Sequence, residues 1–194
     1  MNELRIDADY LIRELPTDEF SRLVDEPHRQ FFGEASLVFP FRQFMTSEMS
    51  EAAKALSAKM GTPERINLGL FHKERFVGWS YGFQESAESF YMCNSAVFPE
   101  YRERGLYTRL MNAMVDETTR RGYQRIYSRH RATNNAVLIP KLKAGFVITN
   151  LEISDIFGVM IHLTYFPHPI RRKVMDFRVG QIKPDDELKS AFKI

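Results

Sequence analysis

The sequence predicts a mixed, largely antiparallel α/β (α+β) sheet with helices on its faces. Three observations predict it. Apolar residues recur at helical spacing in four segments and in short β-branched and aromatic runs in seven others, in the order β-α-α-β-β-β-α-β-α-β-β. The three central runs are joined by short turns, so they pair as antiparallel neighbours. The chain has 194 residues, 44% hydrophobic and 27% charged, enough for one domain with one sizeable core.

The elements follow in order. "YLIREL" reads as the first strand. "PTDEFSRLVDE" reads as a helix: Thr17 suits the N-cap, Asp18 and Glu19 suit the positive end of the dipole, and Phe20, Leu23 and Val24 share a face. Pro27 is expected to stop it. "HRQFFGEASLVFPFRQFM" has no clean period, and its Phe31, Phe32, Phe39, Phe41 and Phe44 suit a loop plugged into the core or a lid over a pocket. "SEMSEAAKALSAKMG" is an amphipathic helix with Ser47 as candidate cap and Met49, Ala52, Ala53, Leu56 and Met60 on one face. "RINLGLFH", "RFVGWSYGFQ" and "SFYMCNSAVF" are the central meander. Leu106, Leu110, Met111, Met114 and Val115 mark the third helix, closed by Gly122. "RIYSRH" is a strand, "NNAVLIPKLKAGF" holds a short helix with Pro140 inside, and "FVITNLEIS" and "VMIHLTYF" are the last strands. Residues 1–168 form the expected domain; 169–194 are an irregular extension that packs on the surface or reaches a partner.

Bulk properties narrow the function. A net charge of +2 falls short of the excess a nucleic-acid-binding domain carries. "MNELRIDADY" lacks a signal peptide's apolar run, and "FGVMIHLTYF" is about half as long as a membrane-spanning helix. A cytoplasmic protein that binds neither membrane nor nucleic acid is expected. The single Cys93 forms no internal disulfide and packs as a buried mid-strand residue. The five histidines lack metal-ligand spacing, so no metal is expected.

The chemistry centres on "VFPEYRERGLYTRLM", a strand, a charged loop with one glycine, and a helix start. Free N–H groups at a helix N-terminus suit phosphate, Arg102 and Arg104 add charge, and Gly105 permits close backbone approach. The Lys-Ser/Thr pair of a Walker loop and two of the three glycines of a dinucleotide fingerprint are missing.

This segment resembles the acetyl-CoA-binding motif of the GNAT superfamily of N-acyltransferases, Val-x-Pro-x-x-Arg/Gln-x-x-Gly-x-Gly/Ala, with Val97, Pro99, Arg102 and Gly105 in register. "FVGWSYG" is similar to the family's third strand, and "NNAVLIPKLKAGF" to its Asn-led helix ending in Gly-Phe. The resemblance spans roughly residues 10–167. It implies a twisted sheet splayed between the strand ending at Phe98 and the "RIYSRH" strand. It also implies acetyl-CoA as co-substrate, its pyrophosphate on Arg102, Glu103, Arg104, Gly105, Leu106 and Tyr107 and its pantetheine arm along Ala96, Val97 and Phe98. Asn134 matches the helix-leading asparagine, with Asn135 a close rival. Two positions depart from the pattern. Tyr107 replaces the final Gly/Ala. Lys141 stands seven residues after Asn134, where the family often has the tyrosine that protonates the thiolate, and Pro140 beside it suggests a bent or late helix.

The implied reaction is direct attack by a primary amine, from a small molecule or a peptide, on acetyl-CoA. Only about one alkylammonium in a thousand is neutral at pH 7, so a base helps. Base candidates are Glu85, Glu88 and His130; acid candidates are Lys141, Tyr107 and Tyr127. Phe41 and Phe44 are the expected acceptor wall. A CoA-binding regulatory module without turnover is the alternative, and a homodimer through the last strand or tail is open.

Overall fold

A computed structural model describes residues 3–32 and 41–194. Eight strands form one sheet in the order β1-β2-β3-β4-β5-β6-β8-β7: β1 Glu3–Arg5, β2 Tyr10–Glu14, β3 Arg65–His72, β4 Arg75–Gln84, β5 Ser89–Val97, β6 Arg125–Arg131, β7 Val147–Ser154 and β8 Gly158–Tyr165. Every neighbouring pair is antiparallel except β5 and β6. That parallel pair requires a crossover, supplied by α3 (Leu106–Arg120). The other helices are α1 (Thr17–Phe32), α2 (Ser47–Lys59), α4 (Asn135–Lys143), α5 (Pro169–Arg178) and α6 (Asp186–Phe192).

The period-2 alternation of the strands sorts the core into two layers. Ile66, Leu68, Leu70, Phe90 and Met92 point to one face, where Leu110, Met111 and Met114 of α3 cover them. Phe71, Trp79 and Ala96 point to the other, against Phe20 and Val24 of α1.

The meander matches the expectation, and the differences have physical causes. The short β1 adds an eighth strand to the seven expected, by pairing Glu3 to Arg5 with Leu11 to Arg13. Helix α1 does not stop at Pro27 but runs through it to Phe32. An interior proline costs about 3 kcal/mol. Against it, Phe31 stacks on the buried Trp79 (5.8 Å between centroids, 3° between planes), and Phe32 meets the same ring edge-on at 6.5 Å. Helix α2 is capped by Thr46, whose Oγ1 accepts from Met49 N, rather than by Ser47. None of its residues is buried, so its apolar face does not join the core. Phe41 and Phe44 lie in an exposed 3-10 turn and plug nothing into the core; Phe39 lies outside the described residues.

Helix α4 starts on time at Asn135 and contains Pro140. The tail is not irregular. Pro169 opens α5 behind His168, whose Nδ1 accepts from Ile170 N, and Asp185 caps α6 through Leu188 N. Arg171 ties α5 to Glu88 and to the Gln124 carbonyl, Arg172 reaches the Gly145 carbonyl, and Leu188 is fully buried.

Candidate active site

The sheet opens at its centre. β5 and β6 pair only at Ser89–Arg125, Phe90–Ile126 and Tyr91–Tyr127. Past Tyr91 the strands separate, leaving the β6-facing edge of β5 without a strand partner. The cause lies partly in β5 itself: Tyr81 pairs with Asn94 but Gly82 with Met92, so Cys93 is an inserted residue. Such a bulge bends its strand and ends regular pairing. Gly82 makes the narrow end possible, because a Cβ there would lie 2.3 Å from the Tyr91 carbonyl oxygen. Cys93 is thus a half-buried bulge residue, not a buried mid-strand one, and its Sγ donates to Tyr81 Oη at 3.4 Å.

The charged loop closes the wide end of the splay. After the 3-10 turn Pro99–Tyr101, Glu103 and Gly105 both take positive φ (62° and 72°), and Gly105 is the N-cap of α3. A Cβ on Gly105 would meet open space, so the glycine is there for its φ. Among the described residues, the backbone N–H groups of Glu103, Arg104, Gly105, Leu106, Tyr107 and Thr108 have no hydrogen-bond acceptor. Such a row of free donors at a helix N-terminus fits a pyrophosphate.

The two arginines act behind the loop. Arg102 Nε donates to the Val97 carbonyl at 2.9 Å, and Arg104 donates to Tyr10 Oη and the Glu100 carbonyl. Tyr107, where the motif has no side chain, packs against the core, and burial pushes its phenol pKa up. A second opening of about 480 Å3 lies between α3 and α4, lined by Thr108, Asn112, Ile139, Pro140, Lys143 and Ala144. Asn134 occupies the N-cap of α4 without a side-chain capping bond, and Asn135 begins the helix.

Lys141 is the most unusual group in the site. It is 2% exposed, and its Nζ donates to Ser128 Oγ at 2.7 Å. It also lies 3.7 Å from Met92 Sδ and 4.8 Å from the centre of the Phe146 ring. Ser128 Oγ is 2.8 Å from His130 Nε2. The ammonium takes the serine's acceptor side, which leaves the hydroxyl hydrogen for His130 Nε2. Burial lowers the Lys141 pKa to about 7. Burial, with the Lys141 charge, lowers that of His130 to about 3. At neutral pH His130 is therefore an uncharged partner in the chain, poorly suited to removing a proton from an ammonium.

The other face of the opening carries a second network. Tyr91 and Tyr127 lie 5.1 Å apart at the vertex, and Tyr127 Oη donates to Glu85. Arg129 lies over the Tyr91 ring and contacts Glu152, which also accepts from His162 at 2.6 Å. Burial, then the Glu85 hydrogen bond, pushes the Tyr127 pKa up.

The structure thus gathers Lys141 and His130 at the splay and joins the 102–107 loop to the same opening. It ties Glu88 to Arg171 of the tail and leaves Phe41 and Phe44 exposed. Of the expected pantetheine edge, the Val97 carbonyl and the Phe98 N–H are already committed, the latter to Val77 O. Ala96 packs in the α1-side core. Ser128, the bridge of the buried chain, was not foreseen. Its position two residues before His130 on one strand was the available signal, since such residues share a face. No cluster of metal-ligating side chains occurs, and no helix is long and apolar enough to cross a membrane, among the described residues.

Comparison with known proteins places this geometry. Among curated proteins none matches the chain. Solved structures share its fold. The ribosomal-protein-S18-alanine N-acetyltransferase of Escherichia coli aligns over 81% of this chain and 93% of its own, with a TM-score of 0.56 and 20% identity. The ribosomal-protein-S5-alanine acetyltransferase of Vibrio fischeri aligns over 87% and 98%, with a TM-score of 0.62 and 10% identity. A GNAT family acetyltransferase of Elizabethkingia anophelis with acetyl-CoA bound aligns over 82% and 99%, with a TM-score of 0.55 and 12% identity. The model of the acetyltransferase (GNAT) family matches residues 18–146, two thirds of the sequence, so the chain belongs to that family.

Proposed function

We propose that the protein transfers the acetyl group of acetyl-CoA to a primary amine by direct attack, with Lys141 as the proton source for the departing thiolate. One observation carries the reading: a buried lysine, chained to Ser128 and His130, lies at the splay whose wide end presents six free N–H groups.

Acetyl-CoA, when bound, supplies an activated acyl group on a thiol leaving group. The residues 103–108 hold the diphosphate through backbone donors. The positive end of α3 adds roughly half a charge, and Arg102 and Arg104 hold the loop in shape. The opened edge of β5 offers backbone partners to an amide-bearing arm, and the uncommitted Asn134 side chain stands at the start of α4.

Lys141 holds a proton at Nζ in a place closed to water. A free thiol has a pKa of about 8.5. A donor near 7 is well matched to a thiolate, and either tyrosine, with its phenol pushed upward, is a weaker acid. Ser128 and His130 fix where the ammonium points. The proton that the amine loses on becoming an amide balances the one that Nζ gives to the thiolate.

The test is thiol release from acetyl-CoA with a panel of amines, for the wild type and for Lys141→Met. General acid catalysis contributes about 10²–10⁴-fold. The expected result is a kcat about 100-fold lower in the variant with acetyl-CoA affinity nearly unchanged. Tight CoA binding with no thiol release from any amine favours a regulatory CoA-binding module. Equal kcat in both proteins removes Lys141 from the mechanism.

A further inference from the structure

A groove on the α1 side of the sheet is not used by the buried chain. It has a volume of about 410 Å3 and runs between α1 and the sheet, with Phe20, Val24 and Tyr81 as apolar walls. Its polar lining is Ser21, Asp25, His28, Arg29 and Arg65. The groove meets the opening through one contact: Tyr81 is both its wall and the acceptor for Cys93 in the β5 bulge. The face opposite carries α3, α4 and Lys141, with the opening of about 480 Å3 between the two helices; with the thiol departing on that face, the amine would reach the splay from the groove side.

The charges of the groove are uneven. Arg29 lies near Glu26 at 3.4 Å and donates to the Asp25 carbonyl. Arg65, an exposed residue, places its guanidinium over the Tyr81 ring at 5.3 Å and has no carboxylate partner among the described residues. A guanidinium held by an aromatic face keeps its fork of donors free, and a carboxylate is the group that fork fits in two hydrogen bonds. The networks nearer the vertex do not compete for that role. Arg129 already contacts Glu152, and Glu85 accepts from Tyr127.

Register gives the spacing. Arg65 pairs with Phe83, and Phe83 with Tyr91, the last β5 residue paired with β6, so Arg65 lies two strands from the point where the edge of β5 opens. Two strand spacings are about 10 Å. Chain residues are at most about 3.6 Å apart when extended, so that distance separates a peptide's amino group from the side chain of its second or third residue.

Resting on the acetyl-transfer reading above, we infer that the acceptor is a peptide α-amine with an acidic residue at its second or third position, held by Arg65 in the α1 groove. The experiment uses the full chain saturated with CoA. Tetrapeptides with Glu at position two or three are compared with their Gln and Lys counterparts. Binding is followed by the fluorescence of Trp79, the one tryptophan, whose ring is 6.5 Å from that of the groove residue His28. Acetylation of the same peptides is measured in parallel with acetyl-CoA.

The expected result is at least tenfold tighter binding of a Glu peptide than of its Gln form. That preference is lost in Arg65→Gln, while CoA affinity is kept. Equal binding of Glu and Gln peptides, or a preference that survives in Arg65→Gln, overturns the inference. Because binding is read without turnover, these outcomes stand whether or not acetyl transfer occurs. A Glu preference in binding without any acetylation would overturn the transfer reading alone.

Discussion

Replacing Lys141 with methionine should stabilise the protein and flatten its dependence on pH. The ammonium is fully buried, and burial lowers its pKa from 10.5 to about 7. Between those values the unfolded chain holds a proton that the folded chain has released. Stability therefore rises with pH across that window, and the penalty is greatest at and below pH 7. At about 1.4 kcal/mol per pH unit, the wild type should gain about 3 kcal/mol between pH 7 and 9 from this one group. Methionine is of similar length and carries no charge, so the variant should lack that gain. At pH 7 it is freed of a penalty of about 5 kcal/mol and loses about 1 kcal/mol with the Ser128 hydrogen bond. The tyrosines with shifted pKa values do not interfere. Their phenols titrate at about 10 in the unfolded chain and higher in the fold, above the measured span of pH 7 to 9. Urea unfolding at pH 7, 8 and 9, followed by Trp79 fluorescence, measures both quantities. If the two proteins gain equally between pH 7 and 9, Lys141 is not held near neutrality and the argument for its role as acid fails with it.

Other perturbations read other parts of the site. In the wild type, kcat for a good acceptor should fall as pH rises above about 7, because the acid form of Lys141 is lost; a pH–rate profile checks this, and a flat profile up to pH 9 contradicts it. Gly105→Val places a β-branched residue at φ 72°, which should weaken CoA binding measured by calorimetry at least tenfold and cost about 1–2 kcal/mol of stability. Gly82→Ala drives a Cβ to 2.3 Å from the Tyr91 carbonyl oxygen at the narrow end of the splay. It should lower stability in urea titration by about 1–3 kcal/mol, more than an ordinary glycine substitution in a strand.

The sheet was legible because its strands announce themselves by alternation and its turns are short. The 65–72 and 75–84 strands begin and end where their β-branched and aromatic runs do. The helix start at Gly105, with its positive φ, was legible because a motif fixes its spacing. What local pattern hid was decided by contacts far away in sequence. Pro27 reads as a stop, yet Phe31 and Phe32 find Trp79 some fifty residues on. The tail reads as irregular, yet Arg171 finds Glu88 in the turn before β5. Arg102 and Arg104 read as phosphate ligands because they stand in the loop; Arg102 Nε is held by the Val97 carbonyl, and Arg104 by Tyr10 Oη and the Glu100 carbonyl, contacts that no local pattern announces. The Ser128 bridge has no sequence signal at all from the side of Lys141, which reaches it from another element.

The placement of Lys141 argues for its function through its cost. Filling that space with an apolar side chain would leave the packing around Met92 and Phe146 intact and remove a penalty of several kcal/mol, a large part of the net stability of a domain this size. A buried charge without a carboxylate is a poor way to hold α4 against β6. Its three neighbours are a thioether, a ring face and one hydroxyl, which stabilise an ammonium only enough to bring its pKa to the range where it can gain and lose a proton at neutral pH. The opposite side of the opening is built in the reverse way. There Arg129 meets Glu152 and Tyr127 meets Glu85, so each charge is paired and each proton is held. One side of the splay is left able to exchange a proton and the other is fixed, a division suited to a thiol departing on the first side while an amine is oriented on the second.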